Sequence, residues 1–223
     1  MNKVIGIEGH VGAGKTSICR EMLNYIPNSI LLNGGNLYRA ILLVLLKNGD
    51  QLETLVKNAK NIDIKKVMEK LGIEIRIENR ETMFYCEGKK LDEEDLQSTK
   101  SSMAVSSLGG VANNIELFKF AKDLINNLKQ KYFVIVSGRA LMQIYPELDY
   151  HFFITASLDE RIARKSKQYG NIDIEELKMH IMKRDKLQEE AGFYKISPNT
   201  ITIDVTDCKT VEESTKKVLE YIK

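Results

Sequence analysis

Eight consecutive residues carry the clearest chemistry in the chain. Gly9-His10-Val11-Gly12-Ala13-Gly14-Lys15-Thr16 fits G-x-x-x-x-G-K-[ST] at every position. The glycines let backbone N–H groups turn inward around a phosphate, and a helix that starts behind them adds its positive end. Lys15 brings a compact cation to the β- and γ-phosphates, and the Thr16 hydroxyl is a hard oxygen placed for Mg²⁺. The expectation is a nucleoside triphosphate held by Gly9 to Thr16, with Lys15 catalytic and Thr16 the metal ligand.

A second group of candidates is basic. Arg161, Arg164 and Lys165 fall at i, i+3 and i+4, so on a helix they share one face. Charge that spreads over a migrating phosphoryl group must be met by fixed cations, which makes Arg161 and Arg164 expected catalytic residues beside Lys15. The competing description of the same spacing is a solvated helix face. Arg39 and Arg139 each follow a Gly-containing turn after an apolar run, at the edge of an α/β sheet where ligands bind. The end of the third strand carries Ser137 and Ala140, and so no carboxylate. An ionised phosphate acceptor needs no general base, whereas a hydroxyl acceptor does. Glu8, at the end of the first strand, is the one acid beside the cradle, where it would order Mg²⁺ water or serve a hydroxyl substrate as base.

These groups need elements to hold them. Val4 to Glu8 is a short apolar run feeding the Gly-rich turn, as a buried strand does. Cys19, Met22, Leu23 and Ile26 then mark one face of a helix that Pro27 stops. Further strands are expected at Ser29 to Leu32, Tyr132 to Val136, Tyr150 to Thr155 and Ile201 to Asp204. Helices are expected over Asn36 to Lys47 and around Leu117, Ala121, Leu124, Ile125 and Leu128, with polar helices filling the stretch to Leu71. Three helix starts carry capping signals: Ser157 with Glu160, Asp173 with Glu176, and Thr210 with Glu213. Ile73 to Ile77 and Met83 to Glu87 alternate as a hairpin around Asn79-Arg80-Glu81. Alternating strands and helices predict an α/β fold: a five-stranded parallel sheet covered on both faces, with the hairpin as an insert.

Composition excludes several classes. The chain has 223 residues, 33 basic and 31 acidic, for a formal charge of +2. That size suits a single domain spanning 1–223. No dense Lys/Arg run is present, so nucleic acid is not an expected partner. The longest apolar stretch, Ala40 to Leu46, is far below the roughly 20 residues that cross a bilayer, so no membrane partner and a cytoplasmic address are expected. Cys19, Cys86 and Cys208 are an odd number without ligand spacing, and His10, His151 and His180 share none either.

Several segments together resemble the cytidylate kinase family of nucleoside monophosphate kinases, nearly end to end. Val4-Ile5-Gly6-Ile7-Glu8-Gly9 is similar to that family's opening, with Glu8 where aspartate is usual. Leu32-Asn33-Gly34-Gly35-Asn36-Leu37-Tyr38-Arg39 resembles its Ser-Gly-x-x-Tyr-Arg segment, which implies that Arg39 grips the acceptor phosphate. Glu87-Gly88 onward, with Ser106, resembles the monophosphate-binding insert, placed near 63–100. Ser137-Gly138-Arg139 stands where the family has Asp-Gly-Arg-Asp. Ala156-Ser157 through Arg164-Lys165 resembles the lid, placed near 157–185, and Arg184-Asp185 completes the match. By this resemblance the substrate-binding residues are Arg39, Ser106, Arg139, Arg184 and Asp185, and the strand order is 2-3-1-4-5. It also implies ATP with Mg²⁺ as phosphoryl donor, small-molecule nucleotides as partners, CMP or dCMP as the leading acceptor, and a monomer or weak dimer. Departures fall at Gly34, Ile115, Ser137, Ala140 and Gln188-Glu189-Glu190, in groups that read the base and hold the acceptor phosphate in the family. Two other readings stay open at this point: a kinase for another small phosphate- or hydroxyl-bearing acceptor, and a catalytically impaired nucleotide-binding regulator.

Overall fold

The structure is a computed structural model that describes residues 2–49, 63–98, 115–169, 173–194 and 196–223. Its first half runs β1 (Val4–Gly9), α1 (Lys15–Tyr25), β2 (Ser29–Asn33), α2 (Gly34–Lys47), α3 (Ile64–Lys70), β3 (Ile73–Glu78), β4 (Glu81–Cys86), β5 (Lys89–Lys90) and α4 (Glu93–Gln97). Its second half runs α5 (Ile115–Lys129), β6 (Phe133–Ser137), α6 (Leu141–Ile144), β7 (Tyr150–Thr155), α7 (Leu158–Tyr169), α8 (Ile174–Glu190), β8 (Thr200–Asp204) and α9 (Val211–Leu219).

The five strands read as buried runs form one parallel sheet in the order β2-β6-β1-β7-β8, which is the 2-3-1-4-5 order expected. β1 is central, paired with β6 from Val4↔Val134 and with β7 from Ile5↔Tyr150. Alternation along each strand divides the core between two faces. Ile5, Ile7, Phe152 and Ile154 pack on one side with Ile18, Met22 and Val218 of α1 and α9. Val4, Ile30, Val134 and Val136 pack on the other with Ile125, Leu128 and Leu141 of α5 and α6. A smaller cluster joins Val11 of the cradle to Ile162 of α7 and Leu177 and Ile181 of α8.

The sheet is larger than the five strands expected. The hairpin β3-β4 does not stand apart but extends the β2 edge, and β5 pairs with β4, giving eight strands. Its attachment is local: Leu31 N–H donates to the Arg80 carbonyl at 2.8 Å, and the Arg80 guanidinium donates to the Ser29 carbonyl at 2.9 Å and the Ile26 carbonyl at 2.8 Å. An open β2 edge would leave backbone groups unpaired, and the hairpin covers it. All three capping signals are realised, with Ser157, Asp173 and Thr210 side chains accepting from the N–H groups of Glu160, Glu176 and Glu213 at 3.3, 2.8 and 3.1 Å. Only α3 of the polar helices expected before Leu71 lies within the described residues. Among the described residues no helix is long and apolar enough to cross a membrane.

Candidate functional site

β1 delivers the chain directly into the cradle. Gly9 leaves the strand at φ 140°, and a Cβ built there would lie 1.9 Å from the Ile154 carbonyl oxygen of β7. No side chain fits between the two strands at that point. Gly12 and Gly14 follow at φ 81° and 91°, in the left-handed region where glycine carries no steric cost. α1 then begins without a side-chain cap, so its first N–H groups are left for an anion. Lys15 folds back across the turn, its Nζ donating to the Gly9 carbonyl at 3.0 Å and the His10 carbonyl at 2.6 Å. Burial holds its pKa well below the usual lysine range, and the charges of Arg139, Arg184 and Lys165 push it the same way, against an opposing pull from Asp185.

Those cations come from separate elements: Arg139 from the turn after β6, Lys165 from α7, Arg184 from α8. The Lys165 stem lies against the cradle, its Cγ 3.4 Å from where a Cβ on Gly12 would be. Burial first, then Arg184 and Arg39, lower its pKa to about 8. Arg39, on α2, lies over the Gly34-Gly35 turn and donates from Nη1 to Asn36 Oδ1 at 3.0 Å. Cations from three elements thus gather around Lys15, and Arg39 of a fourth stands near Lys165. Like charges gathered this way repel one another and favour an anion between them.

Arg161 and Arg164 of α7 do not present a row of cations with Lys165. Arg161 is buried; its Nη1 donates to the Val11 carbonyl at 3.1 Å and pairs with Asp185. Arg164 pairs with Glu160 at 2.9 Å and donates to the carbonyls of Ala13 and Val205 at 3.2 and 2.8 Å. The packing of α8 and of the turn after β8 against α7 turns both guanidiniums toward backbone oxygens of the cradle and its surroundings. Asp185 is a hub of the same bracing: it accepts from Val11 N–H at 3.3 Å and from the Tyr194 hydroxyl at 2.6 Å, besides its pair with Arg161. His10 is fixed by a 2.8 Å contact of Nδ1 with Thr155 Oγ1 and by edge contacts with Phe153 and Tyr194. Its pKa is lowered mainly by burial.

Glu8 stands at the end of β1 one residue before the cradle, as expected, but its carboxylate is already held. It is buried, Oε1 accepting from Leu141 N–H at 3.0 Å and Oε2 lying 2.6 Å from His151 Nε2, so both oxygens are engaged on the far face of β1. Strand alternation is the reason: Glu8 points away from the side that Ile7 shares with α1. Ser106 lies outside the described residues. Tyr194 emerges as a neighbour of the site that no sequence motif marks, and Gln188, noted in the sequence as a departure, lies beside it. For Gln188 the sequence offers two hints: it opens the Gln188-Glu189-Glu190 departure from the family's pattern, and it stands three positions after Asp185 on the same face of α8.

A parallel sheet whose central strand enters a Gly-rich turn, with a lysine across the turn and arginines around it, defines a P-loop phosphotransferase. The cytidylate kinase family model matches residues 5–223. A cytidylate kinase from Aquifex aeolicus (strain VF5) is 33% identical over 226 residues, covering 98% of this chain and 95% of its own. One from Clostridium botulinum (strain Langeland / NCTC 10281 / Type F) is 30% identical over 233 residues, covering 100% and 99%. The chain belongs to the cytidylate kinase family. It is accordingly an enzyme, a nucleoside monophosphate kinase.

Proposed function

We propose that the chain transfers the γ-phosphoryl group of ATP to a nucleoside monophosphate, with CMP or dCMP the foremost acceptors. The observation that carries this is the gathering of Arg139, Lys165 and Arg184 around Lys15, with Arg39 near Lys165 and with both oxygens of the Glu8 carboxylate already held by Leu141 N–H and His151. Such a site neutralises two phosphate-bearing substrates and offers no base, which suits an acceptor already ionised. A hydroxyl acceptor loses its support once Glu8 is tied to Leu141 and His151. Membership of a kinase family likewise gives the regulator reading no support.

The chain's own groups divide the work. Backbone N–H groups of the cradle and Lys15 hold the donor phosphates. Arg39 takes the acceptor phosphate, and Arg139, Lys165 and Arg184 meet the charge on the migrating group. Arg161, Arg164 and Asp185 act one step back, fixing the cradle's carbonyls and the Val11 N–H so that its donors point inward. The residues fit Mg²⁺: the Thr16 hydroxyl is a hard oxygen in the first turn of α1, engaged by no side chain among the described residues. Few protein ligands are what this ion asks for when phosphates and water complete its shell. Thr16 would hold it, and bound Mg²⁺ would supply charge neutralisation between the β- and γ-phosphates.

A coupled assay with ATP and a panel of CMP, dCMP, UMP and AMP tests the proposal. Turnover with CMP or dCMP is expected, and Arg39→Ala should lower kcat/KM for every monophosphate by a similar factor. Absence of turnover with all four, or an Arg39→Ala variant that reorders the bases without losing efficiency, would overturn it.

A further inference from the structure

Arg139 is held in an uncommon way for a buried-site arginine. Its Nε donates to Gln188 Oε1 at 2.7 Å and its Nη1 to the Gly138 carbonyl at 3.0 Å, so both acceptors are neutral. No carboxylate pairs with it among the described residues, although Asp185 stands one turn before Gln188 on α8. Asp185 is spoken for by Arg161, Val11 N–H and the Tyr194 hydroxyl.

Gln188 is 7% exposed, and the hydrogen-bond inventory fixes which way its amide faces. An arginine Nε–H can only donate, so the atom it meets must be the amide oxygen. The Tyr194 hydroxyl lies 3.0 Å from that same oxygen and 2.6 Å from Asp185 Oδ1. Its single proton is drawn to the charged and nearer carboxylate, which leaves Arg139 as the donor that Gln188 serves. Glutamate has the same shape and is a stronger acceptor, and it would orient the guanidinium at least as well. It would also neutralise it. The chain thus fixes Arg139 with a group that adds no negative charge beside the cradle.

We propose that Gln188 is a positioning residue for phosphoryl transfer, aiming Arg139 at the phosphate cradle while leaving its full charge for the bound phosphates. This goes beyond the proposed reaction but rests on it for the identity of the phosphates. Arg139 is placed to act there, since its partner Gln188 meets the Tyr194 hydroxyl, and Tyr194 packs edge-on against His10 of the cradle and donates to Asp185, which accepts from Val11 N–H.

The experiment compares Gln188→Glu and Gln188→Met with the unaltered full chain. Thermal melting is measured first, then affinity for inorganic tripolyphosphate by calorimetry at pH 8, where a carboxyl beside Arg139 is ionised, then kcat and KM for ATP and CMP. Gln188→Glu is expected to melt no lower than wild type, yet to bind tripolyphosphate and turn over about tenfold more weakly, with kcat falling more than KM for ATP. Gln188→Met is expected to lose melting temperature and turnover together, because it leaves the Nε–H without an acceptor. A Gln188→Glu protein that binds tripolyphosphate within about twofold of wild type overturns the proposal, since toward Arg139 the two side chains offer the same acceptor oxygen and differ in charge. That readout stands without any acceptor. A wild type that phosphorylates no monophosphate would therefore refute the reaction and still leave tripolyphosphate affinity to decide the role of Gln188.

Discussion

Lys165 shows how a single residue changes meaning between sequence and structure. Its spacing marks it only as the third cation on a helix face, but folding leaves it pressed against Gly12 with a pKa of about 8 against an ordinary 10.5. The sign follows from which state holds the proton. Between about 8 and 10.5 the unfolded chain keeps the proton that the folded chain has lost, so this group makes stability rise with pH across that window and leaves it flat below. Bound phosphates reverse the depression. Nucleotide binding at pH 8 should therefore take up about half a proton at Lys165, visible as a binding enthalpy that changes with the ionisation heat of the buffer. Lys165→Met should reduce that uptake, leaving the share of Lys15; an unchanged uptake would remove Lys165 from the phosphate site. Arg164 carries a different expectation, because its donors reach Ala13 and Val205 carbonyls. Arg164→Ala should lower unfolding stability by about 1–3 kcal/mol as well as kcat, and Arg164→Lys should recover little of it, since an ammonium cannot span those oxygens. Chemical denaturation alongside kinetics separates the two effects. The cradle itself was fully legible in the sequence, because its eight residues are contiguous and each answers to a phosphate. Apart from Glu160 one turn back, the partners of Arg161 and Arg164 were not, because they come from the cradle, α8 and the turn after β8, and helical spacing says nothing about what packs against a face.

At the scale of elements, the hairpin is the informative case. Its alternating pattern announced two strands, and β3 and β4 are there. What the pattern could not announce is where they attach, since a period of two fixes which side chains share a face but not which neighbour the backbone pairs with. The attachment depends on Arg80, which sits at φ 66° and sends its guanidinium to Ser29 and Ile26. Arg80→Ala should cost about 1–2 kcal/mol through those lost bonds. Arg80→Gly loses the same bonds but is at ease at positive φ, so it should be less destabilising than alanine, an inversion of the usual order. Urea midpoints for the pair check this. Glycine no better than alanine would mean that the backbone at Arg80 is not strained by its hand. Glu8 shows the same limit from the other direction: its place at the strand end is legible, but its partners, Leu141 and His151, come from residues more than a hundred positions away.

For the whole molecule, the placement of β1 has a consequence for the order in which the protein can become itself during synthesis. β1 and the cradle leave the ribosome well before β6 and β7, yet these two later strands are the sheet neighbours of β1. Gly9 is shaped to lie against the Ile154 carbonyl, which also accepts from His10 N–H at 3.0 Å. Until Ile154 has emerged, the turn has no wall to form against, and a nascent chain carries the phosphate motif without a phosphate site. Contacts this distant along the chain are slow to close and cannot reward the early strand while it waits. Ribosome-bound chains stalled with the last emerged residue before β7 should therefore fail to retain a fluorescent ATP analogue, and chains stalled well after β8 should retain it. Retention by the shorter chains would show that the first strand and its turn organise without their neighbours. On the expected outcome, the nucleotide cannot escort the folding of β1 and its turn and can only secure the fold once β7 and β8 have emerged.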